Sequence, residues 1–150
     1  MNPIVLIPAR MAATRLPGKP LADISGAPMI VRVLRRAETA NVGPVAVAAG
    51  DPEIVDAVVA AGGRAVLTDP SLPSGSDRIL AALRVLDPEG RHDAVINLQG
   101  DIPFVSEAAL RGVAGLMNAQ QDCDIATLMG PETAPADRSN PDLPKVVAAM

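Results

Sequence analysis

Short apolar runs alternate along the chain with longer stretches in which apolar positions recur every three or four residues. The first run, "PIVLIP" at residues 3–8, is continuous, as expected for a parallel strand covered on both faces. "PVAVAAG" (44–50), "RAVLT" (64–68), "DAVINLQ" (93–99) and "DIATLM" (124–129) predict further strands. Between them, Met29, Ile30, Val33, Leu34 and Ala37 fall at helical spacing, with Pro28 suited to the first turn. Ile54, Val55, Val58 and Val59 form a second helical stripe, opened by Asp51 as N-cap with Pro52 behind it and ended by Gly62 and Gly63. "RILAALRVL" (78–86) and "SEAALRGVAGLMNA" (106–119) predict two more helices.

Strict alternation of strand and helix implies parallel neighbours, because a parallel pair needs a crossover connection. The expected fold is α/β: an open, mainly parallel sheet with helices on both faces. At 150 residues it forms a single domain, 1–150. The Pro-rich segment 130–144, "GPETAPADRSNPDLP", reads as a long exposed loop or a short irregular helix. "KVVAAM" (145–150) reads as a strand on which the chain stops, so further sequence is expected beyond it.

In open α/β sheets ligands bind outside the carboxyl ends of the strands. Four loops are expected there: 8–20, Gly50-Asp51, 69–78 and Gln99-Gly100-Asp101. Arg10, Arg15 and Lys19 on the first of them are either solvated surface charges or an anion site. Their clustering beside Pro17-Gly18 and Pro20 favours an anion site, with phosphates as the ligand. The spacing is not that of the common phosphate loop, since Ala13 stands where Gly and Pro20 where Ser or Thr would be needed. No G-x-G-x-x-G follows the first strand either, which argues against a dinucleotide oxidoreductase. Asp101 is either a turn residue or a ligand for a hard cation. Placed opposite three cations that could hold polyphosphate, it suits a magnesium ion bridging protein and phosphate. "SGSDR" (74–78) reads as a helix N-terminus, capped by Ser74 or Ser76, from which backbone N–H groups and Arg78 could also reach a nucleotide.

Composition narrows the partners. Phe104 is the one aromatic residue and the net charge is −4, which argues against nucleic acid, usually held by basic grooves and aromatic platforms. A single cysteine, Cys123, excludes an internal disulfide, and with a single histidine, His92, no zinc cluster can form. His92 reads as a loop residue and Cys123 as core edge. These features fit a reducing cytoplasm. No signal peptide or membrane span is expected from the sequence.

The strings "IPARMAATRLPGKPLADISGAPMI", "SGSDRI", "NLQGDIP" and "LPKVV" resemble, in order and spacing, the 3-deoxy-manno-octulosonate cytidylyltransferases. The resemblance covers the whole chain. It implies a Rossmann-like nucleotidyltransferase sandwich that joins CTP to the sugar acid Kdo, giving CMP-Kdo and pyrophosphate for lipopolysaccharide in a Gram-negative cytoplasm. By position it implies that Ala9, Arg10, Arg15, Gly18 and Lys19 hold the triphosphate, with the three cations in the catalytic role. It further implies cytidine-side contacts from Ser74, Gly75, Ser76 and Arg78, a sugar contact from Gln99, and Asp101 as ligand of Mg2+. Ile102 stands where many members carry Glu, and Ala13 where many carry Ser. Members continue past this length into a half that supplies a second metal-binding aspartate and much of a homodimer interface. A nucleotide-binding fragment without turnover, and a cytidylyltransferase for another sugar acid such as acylneuraminate, are the alternatives.

Overall fold

The computed structural model describes residues 1–12, 17–120, 122–128, 130 and 140. Within them the chain builds β1 (Pro3–Ala9), β2 (Asp23–Ile24), β3 (Ala27–Pro28), α1 (Met29–Ala40), β4 (Val45–Ala49), α2 (Pro52–Ala60), β5 (Ala65–Leu67), α3 (Gly75–Leu86), β6 (Ala94–Asn97) and α4 (Glu107–Ala119). A single 3-10 turn, Lys19–Leu21, precedes β2.

Four strands form one sheet in the order β5-β4-β1-β6, every pair parallel. The chain therefore steps outward from β1 through β4 to β5 and then crosses back to place β6 on the other side of β1. β1 is the strand on which the order reverses. Strands β2 and β3 form a separate two-stranded antiparallel ribbon.

The alternation of side chains along β1 divides the core. Val5, Ile7 and Ala9 face α1, α2 and α4, packing with Ile30, Leu34, Ile54, Val58 and Leu110. Ile4 and Leu6 face the opposite way, onto Ile79 of α3 with Leu83 and Leu86 beside it. Both faces of β1 are thus dry, which is why its sequence is apolar without alternation. Each aliphatic side chain fully buried this way contributes about 1.5–3 kcal/mol. The helices begin where the sequence signals them: the hydroxyls of Ser74 and Ser106 accept the N–H groups of Asp77 and Ala109.

Two expectations are corrected. Pro28 does not lie in the first helical turn; it pairs with Asp23 in the β2–β3 ribbon and precedes α1 as its N-cap. Residues 124–128 of the expected strand 124–129 are not in a strand, and Ile125 and Leu128 are exposed. Among the described residues nothing pairs with this segment, and a strand gains little without a partner for its backbone and a face to bury. Residue 129, most of 130–144 and the expected strand at 145–150 lie outside the described residues.

Behind α3, Asp87 closes the return toward β6: its carboxylate accepts the N–H of Arg91 at 2.8 Å and of His92 at 2.7 Å. These backbone donors, His92 first, hold its pKa below the ordinary carboxylate value. Because the folded value lies below the unfolded one, the stabilisation is present above about pH 4 and is lost as pH falls through the folded pKa. Asp87→Asn should therefore lose less melting temperature than the unmutated chain between about pH 6 and about pH 3. Equal acid losses in the two proteins would contradict this role.

Candidate nucleotide site

The end of β1, the turn after β6, the start of α3 and the 3-10 turn converge at one edge of the sheet. Together they enclose a cavity of about 580 Å³. That volume lies in the range of small-molecule sites. Ala9 and Arg10 enter it from β1, Lys19 and Pro20 from the 3-10 turn, Ser74, Gly75 and Arg78 from the start of α3, and Gln99, Gly100 and Asp101 from the turn after β6. Met29 and Leu72 add apolar walls.

Close backbone approach shapes this edge at Gly100. A Cβ there would lie 2.8 Å from the carbonyl oxygen of Pro8, so a side chain would force the Gln-Gly-Asp turn away from β1. With glycine in place, Asp101 reaches across to Lys19, and Nζ donates to Oδ2 at 2.8 Å. Both side chains are partly exposed, at 36% and 54%, so the pair contributes at most about 1 kcal/mol. A cation and an anion are held together here by an interaction weak enough for a ligand to replace.

Arg78 is the opposite case. It is only 2% exposed and its guanidinium is already committed. Nη1 donates to the Thr68 hydroxyl at 2.6 Å and to the Asp69 carbonyl at 3.1 Å, and Nη2 faces the Pro70 carbonyl at 3.5 Å. Thr68 passes the connection on by donating to the carbonyl of Ala49 at 2.8 Å. Burial, and then the charge of Arg10, push the Arg78 pKa down, while Asp51 and Asp69 act against them. The group nonetheless stays charged, as arginine does in proteins. It leaves a buried positive charge in the cavity wall, bound to a hydroxyl and carbonyls.

Not every residue expected at the site lines the cavity. Gly18 and Ser76 lie outside its wall. Gly18 instead donates its N–H to the Met11 carbonyl at 3.1 Å. Arg15 lies outside the described residues. The Ser74 hydroxyl is engaged within its own helix cap, accepting from Asp77 N–H at 3.1 Å and donating to Asp77 Oδ2 at 2.5 Å. Gln99 donates through Nε2 to Asn97 Oδ1 at 2.8 Å. Thr68 was not legible as a site-supporting residue, since a threonine ending a strand is ordinary. Leu72 and Met29 were hidden for the same reason, being apolar among many apolar residues.

An open parallel sheet with a cation-bearing cavity at the carboxyl end of its central strand defines an α/β protein with its ligand site at the usual edge of the sheet. Comparison with known proteins narrows the class. The cytidylyltransferase family model matches residues 4–148, and the chain belongs to that family. It is 55% identical over 149 residues to a 3-deoxy-manno-octulosonate cytidylyltransferase of Rhodospirillum centenum, covering 99% of this chain and 58% of that protein. The protein of the same name from Paramagnetospirillum magneticum is 52% identical over 150 residues, covering all of this chain and 61% of the relative. The chain thus spans about three fifths of the length of these relatives. Among solved structures, that of CMP:2-keto-3-deoxy-manno-octonic acid synthetase complexed with CTP superimposes with a TM-score of 0.68 at 41% identity, covering 81% of this chain and 48% of that one.

Thr68→Val tests the buried support. It keeps the shape but removes both the hydroxyl's donation to Ala49 and its acceptance from Arg78. Leaving a buried charged donor short of a partner should destabilise the fold by about 1–3 kcal/mol in urea denaturation. A change under about 0.5 kcal/mol would show that the Thr68–Arg78 bond is not a structural tie.

Proposed function

We propose that this chain carries the nucleotide site of an enzyme that transfers a cytidylyl group from CTP to 3-deoxy-manno-octulosonate, releasing pyrophosphate. One observation carries the reading: Arg10, Lys19 and Asp101 line a single cavity at the carboxyl edge. The family membership and the relatives' names support the choice of nucleotide and sugar acid.

In this reaction a hydroxyl oxygen of the sugar acid forms a bond to the α-phosphorus. The bond from that phosphorus to the bridging oxygen breaks, pyrophosphate leaves, and the hydroxyl proton passes to solvent. Both substrates are anionic, so the protein's work is chiefly orientation and charge neutralisation. Arg10 and Lys19 contribute fixed positive charge to the phosphates. The buried charge of Arg78 raises the potential of the cavity without leaving its own partners. Ala9, Ser74 and Gly75 complete the nucleotide side from the cavity wall, with Gly18 and Ser76 only adjoining it in sequence, and Gln99 offers an amide to the sugar.

Magnesium fits this donor set. Among the described residues no group of three or more His, Cys, Asp or Glu converges into a cage for a metal ion. A magnesium ion bound with phosphates needs only one or two protein carboxylates, and Asp101 supplies one on the cavity wall. Such an ion would add positive charge between the phosphates and Asp101. Lys19 would then be left to offer its charge to the phosphates and Asp101 its carboxylate to the metal. Among the described residues no helix is long and apolar enough to cross a membrane. A cytoplasmic homodimer at the length of the relatives completes the proposal.

Lys19→Ala should weaken CTP binding, read by titration calorimetry with magnesium, by about ten- to a hundredfold, the worth of one charge-assisted contact. Asp101→Asn should bind CTP with a much smaller dependence on magnesium concentration. Unchanged affinity in the first and an unchanged magnesium response in the second would overturn the assignment. Turnover is read separately, as pyrophosphate released from CTP and the sugar acid; CTP binding without release would leave a nucleotide-binding module.

A further inference from the structure

Asp51 occupies the N-cap position of α2, in extended backbone ahead of Pro52, yet its side chain makes no capping bond. Its Oδ2 instead accepts the backbone N–H of Met11 at 2.7 Å, from a residue 40 positions earlier in the chain. The carbonyl of Met11 accepts the N–H of Gly18 at 3.1 Å. Both backbone groups of Met11 are therefore engaged: one joins it to Gly18, and the other ties it to the end of β4. Next to Asp51, the N–H of Gly50 donates to the Ala9 carbonyl at 2.8 Å, so the strand ends are in register where the side chain crosses. The packing is tight at that point. A Cβ on Gly50 would lie 2.8 Å from Nη1 of Arg78 and 3.2 Å from the Cβ of Arg10.

Met11 follows Arg10 directly, and Gly18 directly precedes Lys19. Whatever fixes the Met11–Gly18 neck fixes the backbone from which both cations project. We infer that Asp51 is a positioning residue for the triphosphate site: its carboxylate holds Met11 and thereby sets where Arg10 and Lys19 stand. The inference rests on the reading of the cavity as a triphosphate site. Asp51 also brings negative charge to the side of the cavity where Arg10 and Arg78 crowd each other, offsetting their repulsion before any anion is bound. An aspartate placed to cap a helix but turned toward a loop across the sheet edge serves the loop.

The test compares Asp51→Ala with Asp51→Asn, whose side-chain carbonyl can still accept from Met11. Two quantities are read: hydrogen exchange at the Met11 amide without ligand, and CTP affinity with magnesium. In Asp51→Ala the Met11 amide should lose its protection and CTP should bind at least about tenfold more weakly, while the melting temperature changes little. Asp51→Asn should restore most of both. Should the alanine variant fail to fold, Asp51→Ser, which can cap α2 but is one bond shorter, carries the same expectation. Alanine and unmutated proteins with equal CTP affinity would overturn the inference while leaving the site reading intact. So would equal weakening in Asp51→Ala and Asp51→Asn. Absence of CTP binding by the unmutated chain would overturn the site reading and this inference with it.

Discussion

The site depends on β1 being paired on both edges and covered on both faces. Val5 registers with Val45 on one side and with Ile96 on the other, and the strand's side chains feed two separate apolar clusters. A strand held in four directions has no freedom to slip, since a shift of one residue would exchange its two buried faces. Its end therefore delivers Pro8, Ala9 and Arg10 to a fixed place. The loops after β4, β5 and β6 are brought to the same edge because every strand of this sheet runs parallel to β1.

At that edge the polar groups fall into two populations. Arg78, Thr68 and Asp51 are engaged with backbone or with one another, and they shape the walls. Among the described residues the side chains of Lys19 and Asp101 pair with each other, in a partly exposed contact that costs little to open. This division separates support from recognition. The supporting groups resist displacement because opening them would strand buried polar atoms, whereas a phosphate-bearing ligand can take over the exposed ones.

Much of this was legible in the sequence, for physical reasons that differ by residue. The continuous apolar run of β1 announced a strand buried on both faces, and the strand–helix alternation announced a parallel sheet. The clustered cations and the Gln-Gly-Asp turn were visible because charges beside Gly and Pro at a strand's end are seldom needed for packing. Arg78 was visible as a charge but not as a buried one, since its partners, Thr68 and the carbonyls of Asp69 and Pro70, are ordinary residues brought near by the turn into α3. Asp51 was legible as the N-cap position of α2, which it occupies, but not as the partner of Met11, because that contact joins residues 40 positions apart. The expected strand at 124–129 failed because apolar pattern alone cannot supply a pairing partner, and residues 124–128 lie outside any strand.

In the proposed function an anionic nucleotide binds at the carboxyl edge of β1. Backbone amide NMR during titration with CTP and magnesium tests it residue by residue. Saturable shifts are expected to centre on residues 8–20, 72–78 and 99–101, with the adjoining Met29 and Gly50-Asp51, and with Lys19 and Asp101 among the largest. A smaller groove of about 280 Å³, lined by Arg32, Arg35, Arg36 and Phe104, offers the natural competitor for an anion. Shifts centred on that groove, with the carboxyl edge unmoved, would contradict the account.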